Sequence, residues 1–202
     1  MDPRLHQPLT CVVAGPTGCG KTRFVMRLLA HTQTMFHPVP TKVVWCYGEW
    51  QELYGSVKNV QFVEGLPDIQ QLQPHTLVVV DDLMAETDER VTKLFTKGSH
   101  HRNISVIYIV QNVFNKNKEN RTISLNAHYM VLFKNPRDSS QITNLAKQMY
   151  PGHSKYMQEV FRDATAKPHG YLFVDLKQNT PDYLRLRAQI FPDEIQYVYM
   201  RK

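Results

Sequence analysis

The sequence predicts an α/β fold: a mostly parallel, doubly wound sheet with helices on both faces and an antiparallel hairpin at its C-terminal edge. Apolar runs of strand length alternate with segments of helical periodicity along most of the 202 residues. Two of these runs, Leu77 to Val80 and Ile104 to Val110, are almost continuously apolar, which is typical of parallel strands covered on both faces. A glycine-rich loop joins the first predicted strand to the first predicted helix.

The strand at Leu9 to Val13 leads directly into this loop, and apolar residues at helical spacing follow it until about His31. The loop reads Gly15-Pro16-Thr17-Gly18-Cys19-Gly20-Lys21-Thr22. Strand, glycine loop and helix in this order predict a phosphate-binding P-loop, because glycines let successive N–H groups turn toward an anion at a helix N-terminus. We therefore expect the whole loop to bind ATP, with Lys21 on the β- and γ-phosphates and the Thr22 hydroxyl on Mg²⁺.

The remaining elements follow from apolar runs, turn residues and caps. Residues 49 to 75 look irregular apart from a short strand near 60–63. Asp138 with Gln141 three positions later predicts a helix start of the capping-box type. Alternating apolar and basic residues from Tyr183 to Phe191 predict an edge strand with one buried face and one basic, wet face. The other predicted strands are 42–47, 76–80, 104–110, 128–133 and 171–176, and the other predicted helices lie around 91–95 and at 154–164.

Size and composition favour one compact soluble domain over residues 1–202, with a core at about 8–150 and a C-terminal helix and hairpin at 151–202. The three cysteines, Cys11, Cys19 and Cys46, are odd in number and lack metal-ligand spacing, so we expect reduced thiols. No apolar run approaches the roughly 20 residues of a membrane span, and the N-terminus lacks a signal-type segment. We expect no membrane partner, no secretion, and a cytosolic or nuclear location. The net charge of +6 suits either a polyanionic partner or a solvated basic surface.

The strand ends carry the other candidate residues, because ligands of open α/β sheets bind beyond the carboxyl ends of the strands. Asp81 closes a buried strand as a Walker B carboxylate and is expected to hold Mg²⁺ opposite Thr22. Asp82 is the candidate base for the attacking water, with Glu86 as a rival. Gln111 ends the next strand and is a candidate sensor of the γ-phosphate. Arg102, just before that strand, is either a candidate arginine finger for a neighbouring subunit or a solvated loop residue.

Three further features stay open from the residues alone. The pair His100-His101 lacks a third ligand at useful spacing, so we do not expect a metal there. The segment from Asn115 to Arg121, with Lys116, Lys118 and Arg121, is either a DNA-contacting loop or a solvated one. Trp50 and Tyr54 are able to stack on a base or cover a subunit seam, although partial core packing is the commoner fate of such aromatics.

Together these motifs resemble a family. The chain is similar to the poxvirus-type genome-packaging ATPases of the FtsK/HerA superfamily, above all to those of Polinton (Maverick) elements and related viruses. The resemblance covers at least residues 10 to 150. Its specific parts are the Arg102 block (His101-Arg102-Asn103-Ile104-Ser105), the Gln111 block (Val110-Gln111-Asn112-Val113-Phe114) and the run Lys134-Asn135-Pro136-Arg137-Asp138 after them. The other matching stretches are the P-loop, Tyr47-Gly48-Glu49-Trp50-Gln51 and Val79-Val80-Asp81-Asp82-Leu83.

The resemblance implies a homo-oligomeric ring that hydrolyses ATP to drive double-stranded DNA into a preformed capsid. It implies Arg102 acting in trans, Gln111 as the sensor, and a partner at the capsid or portal vertex. It also implies a location at viral assembly sites in the host nucleus or cytoplasm, or with the virion. No nuclease portion is recognisable, so DNA cutting is not expected.

Other functions remain open at this point. An FtsK/HerA-like motor for DNA transfer or a helicase carries the same motifs. A P-loop small-molecule kinase needs an acceptor pocket and an arginine-rich lid, and no convincing lid is present. A GTPase-like switch needs Asn-Lys-x-Asp, and the nearest run, Asn117-Lys118-Glu119-Asn120, lacks the final carboxylate. A structural protein with an inactive ATPase site is a weaker option.

Overall fold

A computed structural model of the protein describes residues 2–81, 83, 88–112 and 118–201, without the side chains of residues 88, 100 and 101. It confirms the predicted α/β fold, with a mostly parallel sheet and antiparallel C-terminal strands. The strands are β1 (Leu5–His6), β2 (Thr10–Ala14), β3 (Phe36–His37), β4 (Lys42–Tyr47), β5 (Gln61–Glu64), β6 (Thr76–Asp81), β7 (Ser105–Val110), β8 (Tyr129–Phe133), β9 (Tyr171–Asp175), β10 (Leu186–Ala188) and β11 (Tyr197–Val198).

The helices lie between these strands, with short 3₁₀ turns at Glu52–Ser56, Ile69–Gln71 and Asp182–Leu184. A π-helical turn at Leu94–Gly98 separates two of the short helices. The α-helices are α1 (Lys21–Ala30), α2 (Thr32–Met35), α3 (Asp88–Lys93), α4 (Ser99–Arg102), α5 (Lys118–Leu125), α6 (Ser140–Met149) and α7 (Ser154–Ala164). In the described ranges no helix is long and apolar enough to cross a membrane.

The order of the strands positions the site. The larger sheet has the order β11-β10-β9-β8-β2-β7-β6-β4-β5, and β1 pairs separately with β3. The strands β5, β4, β6, β7, β2 and β8 run parallel. Strand β7 therefore lies between β2, which precedes the P-loop, and β6, which ends at Asp81. The carboxyl ends of these three strands meet at one edge, where Asp81 ends β6, Gln111 follows β7 and the loop with Lys21 follows β2.

Helices cover both faces of this sheet. Helix α1 buries Phe24, Val25, Leu28 and Leu29 against one face, in a core that includes Trp45 and Val131. Helices α3, α6 and α7 bury apolar side chains on the other face, in a core built around Val12, Val80 and Val106. Because helices lie on both faces, the sheet is doubly wound as predicted.

The C-terminal strands differ from the prediction. The predicted strand from Tyr183 to Phe191 is reduced to β10, and β11 pairs outside it, so β10 is not the edge of the sheet. The predicted wet, basic face is wrong at Arg187, which is 2% exposed. Its guanidinium faces the Asp175 carboxylate at 3.4 Å and donates to the Pro3 carbonyl at 3.0 Å. The alternating pattern predicted that Arg187 faces solvent, but the carboxylate of Asp175 on β9 pairs with it in the interior.

Candidate nucleotide-binding site

The P-loop has the backbone conformation that phosphate binding requires. Gly20 is the N-cap of α1 with φ of 107°, and Gly18 has φ of 79°. Residues with a Cβ rarely adopt such φ values. Gly15 is needed for space, since a Cβ there would lie 2.7 Å from both Phe133 Cβ and Cys19 Sγ. The first glycine therefore lets the loop pack against the end of β8.

The charge of the P-loop side chains depends on Lys21 and Cys19. The ammonium group of Lys21 donates to the carbonyl oxygens of Gly15 at 2.8 Å and Pro16 at 3.0 Å, so it arches back over the loop from the first turn of α1. Burial raises the pKa of the Cys19 thiol, which keeps it neutral at physiological pH. A cationic ammonium group and a neutral thiol together suit a bound anion.

Asp81 lies at the carboxyl end of β6 and is 4% exposed. Its Oδ2 atom accepts hydrogen bonds from the Thr22 hydroxyl at 3.3 Å and from the Tyr54 hydroxyl at 3.0 Å. The predicted pair of Thr22 and Asp81 is therefore in contact. A hydroxyl and a carboxylate are hard oxygen ligands of the kind that Mg²⁺ prefers, so these two residues fit the ion and would hold it.

One cavity of about 680 Å³ joins the predicted residues, within the range of about 300–1,000 Å³ typical of ligand pockets. Gln111 lies in its wall directly after β7, exposed and on the same side as Asp81. The candidate bases Asp82 and Glu86 lie outside the described residues. The lining is Thr17, Gly18, Gly20, Lys21, Thr22, Arg23, Gln51, Leu53, Asp81, Leu83, Tyr108, Ile109, Val110, Gln111 and His169.

The sequence analysis missed His169, which reaches the loop from the segment before β9. Its Nδ1 atom lies 3.0 Å from the Cys19 carbonyl oxygen and 3.3 Å from the position of a Cβ on Gly20. Since a carbonyl oxygen only accepts, Nδ1 carries the proton in this contact. No motif marks this histidine, because it is 150 residues away from Cys19 along the chain.

Tyr54 and Trp50 have different surroundings. Tyr54 is buried, as expected for an aromatic residue that packs in the core. Its hydroxyl also donates a hydrogen bond to the carboxylate of Asp81, and no sequence signal indicates this contact. Trp50 is 53% exposed and packs its ring against Tyr47, Tyr54 and Phe62. Neighbouring residues Gln51 and Leu53 line the cavity, so this segment forms one of its walls.

Arg102 does not line the cavity of its own chain. It ends α4 at the amino end of β7, a strand of six residues, so it lies on the order of 20 Å from Gln111. Its guanidinium donates to the carbonyl oxygens of Ile69 at 2.8 Å and Gln70 at 3.2 Å. An arginine has five N–H donors, and these two contacts leave others for a further partner. Action on a neighbouring subunit stays a prediction.

The Gln111 block and the Lys134 to Asp138 run meet in space. Asn112, next to Gln111, donates from its side-chain amide to Asp138 at 3.5 Å. Asp138 also accepts hydrogen bonds from Ser140 and Gln141, which hold the pKa of its carboxyl below the usual range. The Asp138 carboxylate accepts from the backbone N–H of Ser140 at 2.9 Å, so Asp138 caps the first turn of α6 as predicted, one residue before the N-cap position at Ser139. Gln141 bonds the Asp138 carboxylate instead of a backbone N–H, so the reciprocal bond of a capping box is not formed.

The basic segment is partly helical. Lys116 lies outside the described residues, whereas Lys118 and Arg121 belong to α5 and are exposed. Because they are three residues apart on a helix, they share one face. The predicted loop is therefore a helix from Lys118 onward.

Comparison with known proteins identifies the fold. No family model and no curated protein sequence matches the chain. Among solved structures, the genome packaging NTPase B204 from Sulfolobus turreted icosahedral virus 2, in complex with ATP-gammaS, matches with a TM-score of 0.58 and 14% identity, over 89% of this chain and 96% of that chain. The fold is that of a P-loop NTPase. The Legionella pneumophila ATPase DotB matches more weakly, with a TM-score of 0.38 and 13% identity over 62% of this chain and 40% of that one.

Proposed function

We propose that the protein is an ATP-hydrolysing motor that moves double-stranded DNA, and that it packages viral DNA into a capsid. The observation that carries the proposal is the convergence of Lys21, Thr22, Asp81 and Gln111 on one cavity at the edge of the sheet. The similarity in fold to a genome packaging NTPase supports the choice of cargo, as do the poxvirus-type motifs and the net charge of +6.

In this proposal each residue has one task. Lys21 binds the β- and γ-phosphates, and the loop N–H groups donate hydrogen bonds to phosphate oxygens. Gln111 orients the attacking water against the γ-phosphate, and Asp82 takes its proton. Thr22 and Asp81 would hold Mg²⁺, which would offset phosphate charge when bound. Arg102 of a neighbouring subunit stabilises charge in the transition state, which makes a ring necessary for full activity.

Hydrolysis measured with and without duplex DNA tests the motor. Because a translocating ring grips the backbone rather than base edges, we expect stimulation by DNA of any sequence that weakens steeply with salt. Replacing Lys116, Lys118 and Arg121 by Ala should flatten the salt dependence and leave basal hydrolysis intact. Lys155→Ala, an exposed lysine on α7, is the matched control. If duplex DNA at low salt does not stimulate hydrolysis but a small acceptor does, the protein is a kinase instead.

Mixed rings test the role of Arg102. Lys21→Ala and Arg102→Ala should each lose hydrolysis, and mixing them should restore part of it where an intact loop meets an intact arginine. Co-assembled mixtures that never recover activity would argue against action in trans.

Asp82→Asn should slow turnover about 100-fold while Mg·ATP still binds. Normal turnover in Asp82→Asn together with a loss in Glu86→Gln would transfer the role of base to Glu86.

A further inference from the structure

The hydroxyl of Tyr54, like His169, is a feature of the site that no motif explains. It lies in a side chain that is 0% exposed, and it donates to Oδ2 of Asp81 at 3.0 Å. The Thr22 hydroxyl faces the same oxygen at 3.3 Å. The carboxylate that would hold Mg²⁺ is thus gripped from the P-loop side by Thr22 and from the opposite side by a phenol.

Aromatic packing fixes the position of this phenol. The Tyr54 ring lies 5.3 Å from Trp45, 5.5 Å from Phe62 and 5.9 Å from Tyr47, measured between ring centroids. These contacts come from β4 and β5, on the side of β6 that faces away from the P-loop strand. Because several rings hold the side chain, its hydroxyl is pre-organised and loses little freedom when it bonds the carboxylate.

A buried carboxylate needs such a donor. Asp81 is 4% exposed, so water compensates little of its charge, and hydrogen bonds must do so. A donor on one oxygen also restricts rotation of the carboxylate. Partners of this kind around metal ligands typically change metal affinity about 10- to 100-fold when they are removed.

We propose that Tyr54 is a positioning residue that orients the Asp81 carboxylate for Mg²⁺ and thereby sets how much Mg²⁺ the site requires. The inference rests on the proposed nucleotide-binding function. Tyr54 ends the segment Tyr47 to Tyr54, which connects the end of β4 to the cavity wall at Gln51 and Leu53.

The test compares Tyr54→Phe with Tyr47→Phe. Both remove one hydroxyl from the same aromatic cluster, but only the first removes the donor to Asp81. Binding of a fluorescent ATP analogue is titrated in EDTA and then across a range of Mg²⁺ concentrations, and thermal unfolding is recorded with and without the ion. For Tyr54→Phe we expect unchanged affinity in EDTA and a half-saturating Mg²⁺ concentration raised about tenfold. Tyr47→Phe should match the wild type in both measurements.

The outcomes separate the two proposals. If the wild type binds the analogue with a clear Mg²⁺ dependence and Tyr54→Phe requires no more Mg²⁺ than Tyr47→Phe, the role of Tyr54 is refuted and the proposed function stands. Equal loss of affinity with and without Mg²⁺ in Tyr54→Phe also refutes it, because that pattern indicates a purely structural residue. A wild type that binds no nucleotide removes the proposed function and this inference together.

Discussion

Replacing Asp175 by Asn should destabilise the folded protein by about 3 kcal/mol. Asp175 ends β9 and faces Arg187 of β10, with Nη2 and Oδ2 separated by 3.4 Å and side chains 9% and 3% exposed. Burial lowers the pKa of Arg187, which the carboxylate partly counteracts. The guanidinium also lies 4.6 Å from the centre of the Phe173 ring, so it is enclosed by protein.

The magnitude follows from this geometry. At 3.4 Å and an effective dielectric constant of about 20, two unit charges attract by on the order of 5 kcal/mol. Asn retains one acceptor oxygen, which must serve either Arg187 or the donors now on Oδ1, the Lys177 N–H at 3.1 Å and the Thr180 hydroxyl at 2.9 Å. Removal of one partner of a buried pair costs about 3–5 kcal/mol, and the retained oxygen favours the lower end.

Urea denaturation gives the free energy of unfolding for each variant. Asp182→Asn is the matched control, because its carboxylate lies 2.8 Å from Arg185 but is 93% exposed, and such pairs contribute about 0–1 kcal/mol. The double variant Asp175→Asn/Arg187→Met should recover part of the loss, since no unpaired charge stays buried. The reasoning is refuted if Asp175→Asn lies within about 1 kcal/mol of the wild type and cannot be distinguished from Asp182→Asn.

Two further predictions concern contacts between distant segments. His169→Ala removes the hydrogen bond to the Cys19 carbonyl. The nucleotide dissociation constant measured by calorimetry should therefore rise about three- to tenfold, while the free energy of unfolding stays nearly constant. An unchanged dissociation constant would contradict a role of His169 in holding the loop. Arg27 pairs with Asp193 and Glu194 at 2.7 Å each, and its hydrogen bond holds the pKa of Asp193 below the usual 3.8. A carboxylate whose pKa is lowered in the folded state stabilises the fold at pH values above its ordinary pKa, and this stabilisation is lost as the pH falls through the folded-state pKa. The free energy of unfolding of the wild type should therefore fall more than that of Arg27→Gln between about pH 6 and pH 3. Equal losses in the two proteins would show that the pair contributes nothing.

Much of the fold could be predicted because its signals are local. Strand β4 and helix α7 have the predicted bounds, since a β-rich run and a helical period each depend on a few neighbouring residues. The C-terminal strands depend on distant partners instead. The alternation around Arg187 is the pattern of an edge strand, and only the position of Asp175 and the pairing of β11 reveal that this arginine is buried.

The same distinction applies to the site. Lys21, Thr22, Asp81 and Gln111 could be located because each lies at a strand end or in the glycine loop, and parallel strands bring their carboxyl ends together. Tyr54 and His169 could not, because their contacts join segments 27 and 150 residues apart. An aromatic-rich segment is also what a core without any catalytic role would contain.

These two missed residues act on different parts of the same cavity. His169 contacts the carbonyl of Cys19 in the phosphate loop, while Tyr54 holds the carboxylate opposite Thr22. The loop motif supplies groups able to bind phosphate and Mg²⁺, but their mutual positions depend on the segment before β9 and on the aromatic cluster beyond β6. Variants of His169 should therefore change nucleotide affinity with or without Mg²⁺, whereas variants of the Tyr54 hydroxyl should change only the Mg²⁺ requirement. If the Tyr54 variant lowered nucleotide affinity equally with and without Mg²⁺, as the His169 variant should, Tyr54 would be a structural residue and this division of roles would be wrong.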